Sequence, residues 1–104
     1  MKIFDDFNFT QQVLETNDIV LVDFYATWCR PCHAMASILE KISNENGFIV
    51  GKINIDENSQ TTENFKIGAL PTLIFFKKGK EIKRLVGVQS EQVLLEVFSQ
   101  AMCD

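Results

Sequence analysis

Ile19-Val20-Leu21-Val22-Asp23-Phe24-Tyr25-Ala26-Thr27-Trp28-Cys29-Arg30-Pro31-Cys32-His33-Ala34-Met35 passes from one periodicity to another within a few residues. Its first seven residues are mostly apolar and β-branched, the composition of a strand buried on both faces and therefore central in a sheet. Beyond the cysteines, Met35, Ile38, Leu39 and Ile42 recur at helical spacing, and Asn46-Gly47 supplies a helix stop. Cys29 and Cys32 thus fall between a central strand and the start of a helix, where an open α/β sheet presents its reactive groups.

Working outward, residues 48–55 form the next apolar strand, and the polar stretch 56–68 is expected to hold a short helix around residues 62–65. Strand, helix and strand in succession imply a parallel crossover. Thr72-Leu73-Ile74-Phe75-Phe76 and Ile82-Lys83-Arg84-Leu85-Val86 flank Lys77-Lys78-Gly79-Lys80, a turn short enough for an antiparallel hairpin. Ser90 can cap a last helix whose apolar face is Val93, Leu94, Val97, Phe98 and Ala101, and a first helix is expected at residues 7–15. The sum is an α/β fold, a central mixed sheet with helices on both faces. With 104 residues, 46% hydrophobic content, nine Phe and no repeat or linker, residues 1–104 are expected to form a single domain.

The formal net charge is −4 and the ten Lys and Arg are scattered, which favours neither nucleic acid nor an anionic membrane as a partner. Asp5 and Asp6 interrupt the N-terminal segment where a secretory signal would be apolar, and no stretch reaches transmembrane length. The expected location is the cytoplasm. Three cysteines, two of them three positions apart, make a poor structural disulfide framework. Chemistry is the better use for them.

A helix N-terminus offers unpaired N–H groups and the positive end of the helix dipole, so a thiolate at Cys29 is favoured and its pKa falls. Cys29 is then the nucleophile. Cys32, one turn into the helix, is close enough to bond to the first sulfur and too sheltered to react first, which makes it the resolving thiol. Pro31 suits an early helical position, where its missing N–H costs little, and stiffens the loop. Two other readings fit the same spacing. Cys-x-x-Cys can be half a zinc site, although only His33 and Cys103 remain as further ligands and a structural site needs four. The pair can also be buried and inert.

The run Val22-Asp23-Phe24-Tyr25-Ala26-Thr27-Trp28-Cys29-Arg30-Pro31-Cys32, followed by Lys52-Ile53-Asn54-Ile55-Asp56, Gly68-Ala69-Leu70-Pro71-Thr72 and Gly87, resembles the thioredoxin family over nearly the whole chain. The resemblance implies a thiol–disulfide oxidoreductase that reduces protein disulfides through Cys29 and Cys32 without a cofactor or metal. It implies that Asp23 is a buried proton acceptor for Cys32, and a lone carboxylate in an apolar run must in any case be paired or carry a raised pKa. Lys52 would stand beside that acid or be a solvated strand residue. Trp28 would lie beside the disulfide or be a core aromatic. Pro71 would be cis and face the disulfide, and Leu70, Pro71 and Gly87 would line an extended substrate segment; Gly68 and Gly87 would permit its close approach or merely serve turns.

Four positions depart from the common family pattern. Arg30 stands for glycine and His33 for lysine, both bearing on redox potential and partner choice. Tyr25 replaces the first of two tryptophans, and Ser37 replaces a kinking proline, which should leave the helix straighter. Cys103 is expected to be a terminal free thiol. The chain has no Gly-rich nucleotide fingerprint and is too short for a flavin domain, so a separate thioredoxin reductase is the implied partner, with its electron donor open. The other partners are disulfide-containing clients, and the chain is expected to act as a monomer. An oxidising relative of the same fold, or a binding subunit that does not use its cysteines, are the competing readings.

Overall fold

The apolar run becomes the middle strand of a five-stranded sheet in the computed structural model, which describes residues 1–103. In chain order the elements are β1 (Lys2–Ile3), a π-helical turn (Thr10–Leu14), β2 (Ile19–Tyr25), α1 (Arg30–Asn46), β3 (Ile49–Asn54), α2 (Ser59–Asn64), β4 (Thr72–Lys77), β5 (Lys80–Val86) and α3 (Glu91–Cys103). The strand order is β1-β3-β2-β4-β5. β1 and β2 run parallel to β3, whereas β4 is antiparallel to both β2 and β5. The mixed sheet, the crossover through α1 and the hairpin all match the sequence reading. Among the described residues no helix is long and apolar enough to cross a membrane.

Alternation along β2 divides the core. Val20, Val22 and Phe24 face one side, packed with Phe4, Phe9, Val13, Ile53, Ile74 and Phe76. Leu21 faces the other side with Met35, Leu39 and Ile42 of α1 and with Leu94 and Phe98 of α3. Asp23 has the parity of Leu21, which directs its carboxyl toward the α1 side. Lys52, opposite Asp23 in the β2–β3 register, shares that face. Between Val50 and Lys52, Gly51 leaves room on the first face for Phe4, whose ring a Cβ at that position would strike.

Local rules account for most boundaries. α1 ends at Gly47, whose φ of 68° suits the left-handed cap that glycine adopts at least cost. Lys78 and Gly79, with φ of 53° and 77°, form the two-residue turn whose twist matches a hairpin. Ser90 Oγ accepts the Val93 N–H at 3.2 Å at the start of α3. Val93 itself stays 36% exposed, so the buried face of α3 is narrower than its apolar pattern: Leu94, Phe98 and Ala101. α1 runs without interruption past Ser37.

Three elements differ from expectation. The helix expected at residues 7–15 is regular only over Thr10–Leu14, closed by the Glu15 N–H on the Thr10 carbonyl. Upstream, Asp5 Oδ1 accepts from the N–H groups of Phe7 and Asn8, and Asn8 Oδ1 accepts from that of Asp5; such side chains offer the backbone an alternative to helix. α2 begins at Ser59, ahead of the expected residues 62–65, because its first turn is capped from far away in sequence. Asp6 accepts from the Thr61 N–H at 2.9 Å, the Thr61 hydroxyl at 2.6 Å and the Gln60 N–H at 3.3 Å. β1 was not expected; two residues are too few to leave a pattern.

Candidate active site

β2 delivers the chain to Tyr25, and after Ala26-Thr27-Trp28 the backbone of Cys29 is extended (φ −87°, ψ 109°) as the residue that caps α1. Its sulfur accepts the Cys32 N–H at 3.3 Å, one of the donors that a helix leaves unpaired at its start. Pro31 lies within the first two helical positions, where no N–H is needed. Cys29 and Cys32 are joined by a disulfide, with Cα atoms 5.3 Å apart. The two sulfurs that a zinc site would need as separate ligands are bonded to each other. They pack with Ala26 under Tyr25, Ile55 and Leu70.

Exposure does not separate the two cysteines in this state: Cys29 is 5% exposed and Cys32 3%. Both pack with Ala26 and against Leu70 in the disulfide form, and Cys32 is sheltered as expected. What separates them is polarity. The Cys29 sulfur sits at the positive helix end with an N–H directed at it, and Cys32 supplies that N–H.

Asp23 lies behind the pair and is 2% exposed, with Oδ1 lacking any hydrogen-bond partner among the described residues. Burial pushes its pKa up to about 7 from an ordinary 3.8, against the opposing pull of the Lys52 charge. A cavity of about 230 Å³ is lined by Asp23, Tyr25, Thr27, Cys32, His33, Ala36 and Lys52. It brings the acid and the second cysteine to the wall of one cavity. The Lys52 ammonium is 5.2 Å from the centre of the Tyr25 ring, a cation–π contact. Burial raises the Tyr25 phenol pKa, and the charges of Glu57 and Asp23 raise it further.

The Leu70–Pro71 peptide is cis. Leu70 packs against the disulfide cluster, and the Pro71 carbonyl accepts the Gly87 N–H at 2.8 Å, which brings the loop and Gly87 together. The Thr72 hydroxyl donates to the Ala69 carbonyl at 2.6 Å and stiffens the loop from its far side. Gly87 has φ of 91°, a conformation that favours glycine. Gly68 faces open space, so nothing within the chain requires its lack of a side chain.

Trp28 is not a core residue. It is 69% exposed, and its indole N–H donates to Asp56 Oδ2 at 2.8 Å. Arg30 is exposed at the first position of α1, and Cys103 is an exposed free thiol at the end of α3, outside the site. His33, noted in the sequence as a departure from a family pattern and as a candidate zinc ligand, lines the cavity, and its Nε2 is 2.9 Å from the Thr27 carbonyl. Adjacency to Cys32 was the available signal.

The thioredoxin family model matches residues 1–100. The chain is 42% identical over 99 residues to a thioredoxin of Mycobacterium tuberculosis, covering 93% of this chain and 85% of that protein. To a thioredoxin of Chlamydia pneumoniae it is 40% identical over 101 residues, covering 96% and 97%. A bifunctional thioredoxin reductase/thioredoxin of Mycobacterium leprae is 39% identical over 99 residues, 93% of this chain and 22% of that longer protein. With sheet, disulfide and sequence in agreement, this chain belongs to the thioredoxin family and is a thiol–disulfide oxidoreductase.

Proposed function

We propose that the chain reduces client disulfides in two steps with unequal cysteines. The Cys29 thiolate attacks one sulfur of a client disulfide, a mixed disulfide forms, and the first client thiolate departs. Asp23 then takes the Cys32 proton, and the Cys32 thiolate attacks Cys29 Sγ; the bond to the client breaks and the client leaves reduced by two electrons. The chain is left as the Cys29–Cys32 disulfide. The observation that carries this assignment is the Cys32 N–H on Cys29 Sγ at the start of α1, because it favours charge on one sulfur only.

Leu70, Pro71 and Gly87 are assigned to hold the client segment beside the disulfide, with Trp28 and Arg30 bordering it and Lys52 steadying the charge of Asp23. A separate reductase returns the dithiol form, a reading supported by the M. leprae protein in which a reductase and a thioredoxin share one chain. We assign it as a single 1–104 domain acting as a monomer in the cytoplasm. Insulin disulfide reduction tests the assignment. Turnover is expected with a dithiol donor, and with NADPH plus a thioredoxin reductase; loss of turnover in Cys29→Ser with retention in Cys103→Ser is the required pattern. Full activity in Cys29→Ser would refute it.

A further inference from the structure

The Asp23 side chain is 2% exposed and lines, together with Cys32, a cavity partly open to solvent, so a proton taken from Cys32 leaves by way of that cavity. Among the cavity's lining residues are three candidate carriers: Tyr25 from β2, Lys52 from β3 and His33 from α1. Lysine as an ammonium has no lone pair to accept a proton, and a phenol gives up its own only in strong base. Burial together with the charges of Glu57 and Asp23 makes Tyr25 a still weaker acid. His33 differs from both. It is exposed on one side and lines the cavity on the other, which spans the boundary the proton has to cross.

Its tautomer is fixed by its neighbour. The Thr27 carbonyl can only accept, so the His33 nitrogen 2.9 Å away, Nε2, carries hydrogen. Nδ1 is then the free base in the neutral ring. Taking a proton there leaves the Nε2–H bond to Thr27 intact, so the ring can cycle between neutral and cationic forms without moving. A cavity of about 230 Å³ has room for bridging waters, each of which occupies roughly 30 Å³.

We propose that His33 is a proton relay between Asp23 and solvent, accepting at Nδ1 the proton that Asp23 took from Cys32 and releasing it to bulk water. The proposal rests on the assignment of Asp23 as the Cys32 base. The covalent step is unchanged: the Cys32–Cys29 bond forms as the Cys29–client bond breaks, and only the route of the proton is added.

His33→Gln tests it, because a glutamine amide can keep a donor on Thr27 while removing the titrating nitrogen. The readout is the intramolecular resolution phase, independent of client concentration, in stopped-flow reaction of the reduced protein with a fluorescence-quenched peptide disulfide. At pH 7 and low buffer, His33→Gln should slow this phase by roughly tenfold, a modest share of what positioned proton transfer supplies. Added free imidazole should restore it, and the variant's pH profile should lose an inflection. A wild-type rate, or a slower rate that imidazole does not restore with an unchanged pH profile, would overturn the relay. Asp23→Asn run beside it separates the two readings. Slow resolution in Asp23→Asn with normal resolution in His33→Gln removes the relay alone, whereas normal resolution in Asp23→Asn removes both.

Discussion

Replacing Asp23 with Asn should make the stability of the oxidised protein nearly independent of this site's pH and higher at neutral pH. The folded protein holds the Asp23 proton up to about pH 7, whereas the ordinary carboxylate value is 3.8. Between those limits the native state binds more protons than the unfolded chain, so stability falls as pH rises, and the loss is complete above about 7. At about 1.4 kcal/mol for each tenfold change in proton affinity, the raised proton affinity costs the folded state about 4 kcal/mol at pH 8, where Asp23 is ionised, and about 2 kcal/mol at pH 5, where it stays protonated while the unfolded carboxyl ionises. The stability difference between variant and parent should therefore grow by about 2 to 3 kcal/mol from pH 5 to pH 8. Any fixed contribution of the new amide, including hydrogen bonds it fails to make, cancels in that comparison. Urea unfolding of the oxidised proteins, in which Cys29 and Cys32 do not titrate, measures it. Parallel stability curves for the two proteins across this range would show that Asp23 is ionised in the native state at pH 5, and the argument from burial would fall.

Cys32→Ser should accumulate client mixed disulfides on Cys29, identified by peptide mass analysis; a client trapped mainly on Cys103 contradicts the division of roles. Arg30→Gly should raise the midpoint of Cys29 thiolate formation and make the potential more negative by roughly 5 to 20 mV, since an exposed charge pair is weak and screened. Thiolate absorbance and equilibrium with glutathione measure both, and no change at low salt leaves Arg30 only a docking role. Gly51→Ala should lower stability by about 1 to 3 kcal/mol through overpacking against the Phe4 ring, with partial recovery in a Phe4→Leu background; an unchanged urea midpoint for the single variant would mean that Phe4 moves aside freely.

The parts of the fold legible in sequence are those with local causes. β2 announced itself by an apolar run, α1 by its periodic residues and Gly47, and the hairpin by Lys78-Gly79. The parts that were not legible depend on distant partners. The start of α2 is fixed by Asp6, which lies more than fifty positions away, and β1 is held by pairing with Gly51 and Lys52. The site divides the same way. Cys29 and Cys32 could be placed from the strand-to-helix junction, and the burial of Asp23 from its apolar neighbours. The role of Trp28 could not, because an aromatic beside a buried pair can pack inward or be tied outward by Asp56. His33 was hidden because nothing local says that its ring bonds to Thr27 and closes one side of a cavity shared with Asp23.

A carboxylate that weakens the fold at neutral pH needs a reason to sit in a central strand where Val or Leu would pack better, and the proposed assignment of Asp23 as the base for Cys32 supplies one. The helix start favours charge on Cys29, and it does so partly through the Cys32 N–H, which is committed to the Cys29 sulfur. Among the described residues no N–H is directed at the Cys32 sulfur as one is at Cys29, and Cys32 is 3% exposed. The arrangement that makes the first thiol reactive therefore leaves the second in need of a base of its own, and that base has to be buried because its target is. A base useful near pH 7 must also have a proton affinity near that value, which an exposed carboxylate lacks and which burial gives Asp23. On the proposed assignment, the same desolvation that lowers stability is what makes the group competent, and the two effects cannot be separated by moving Asp23 toward solvent.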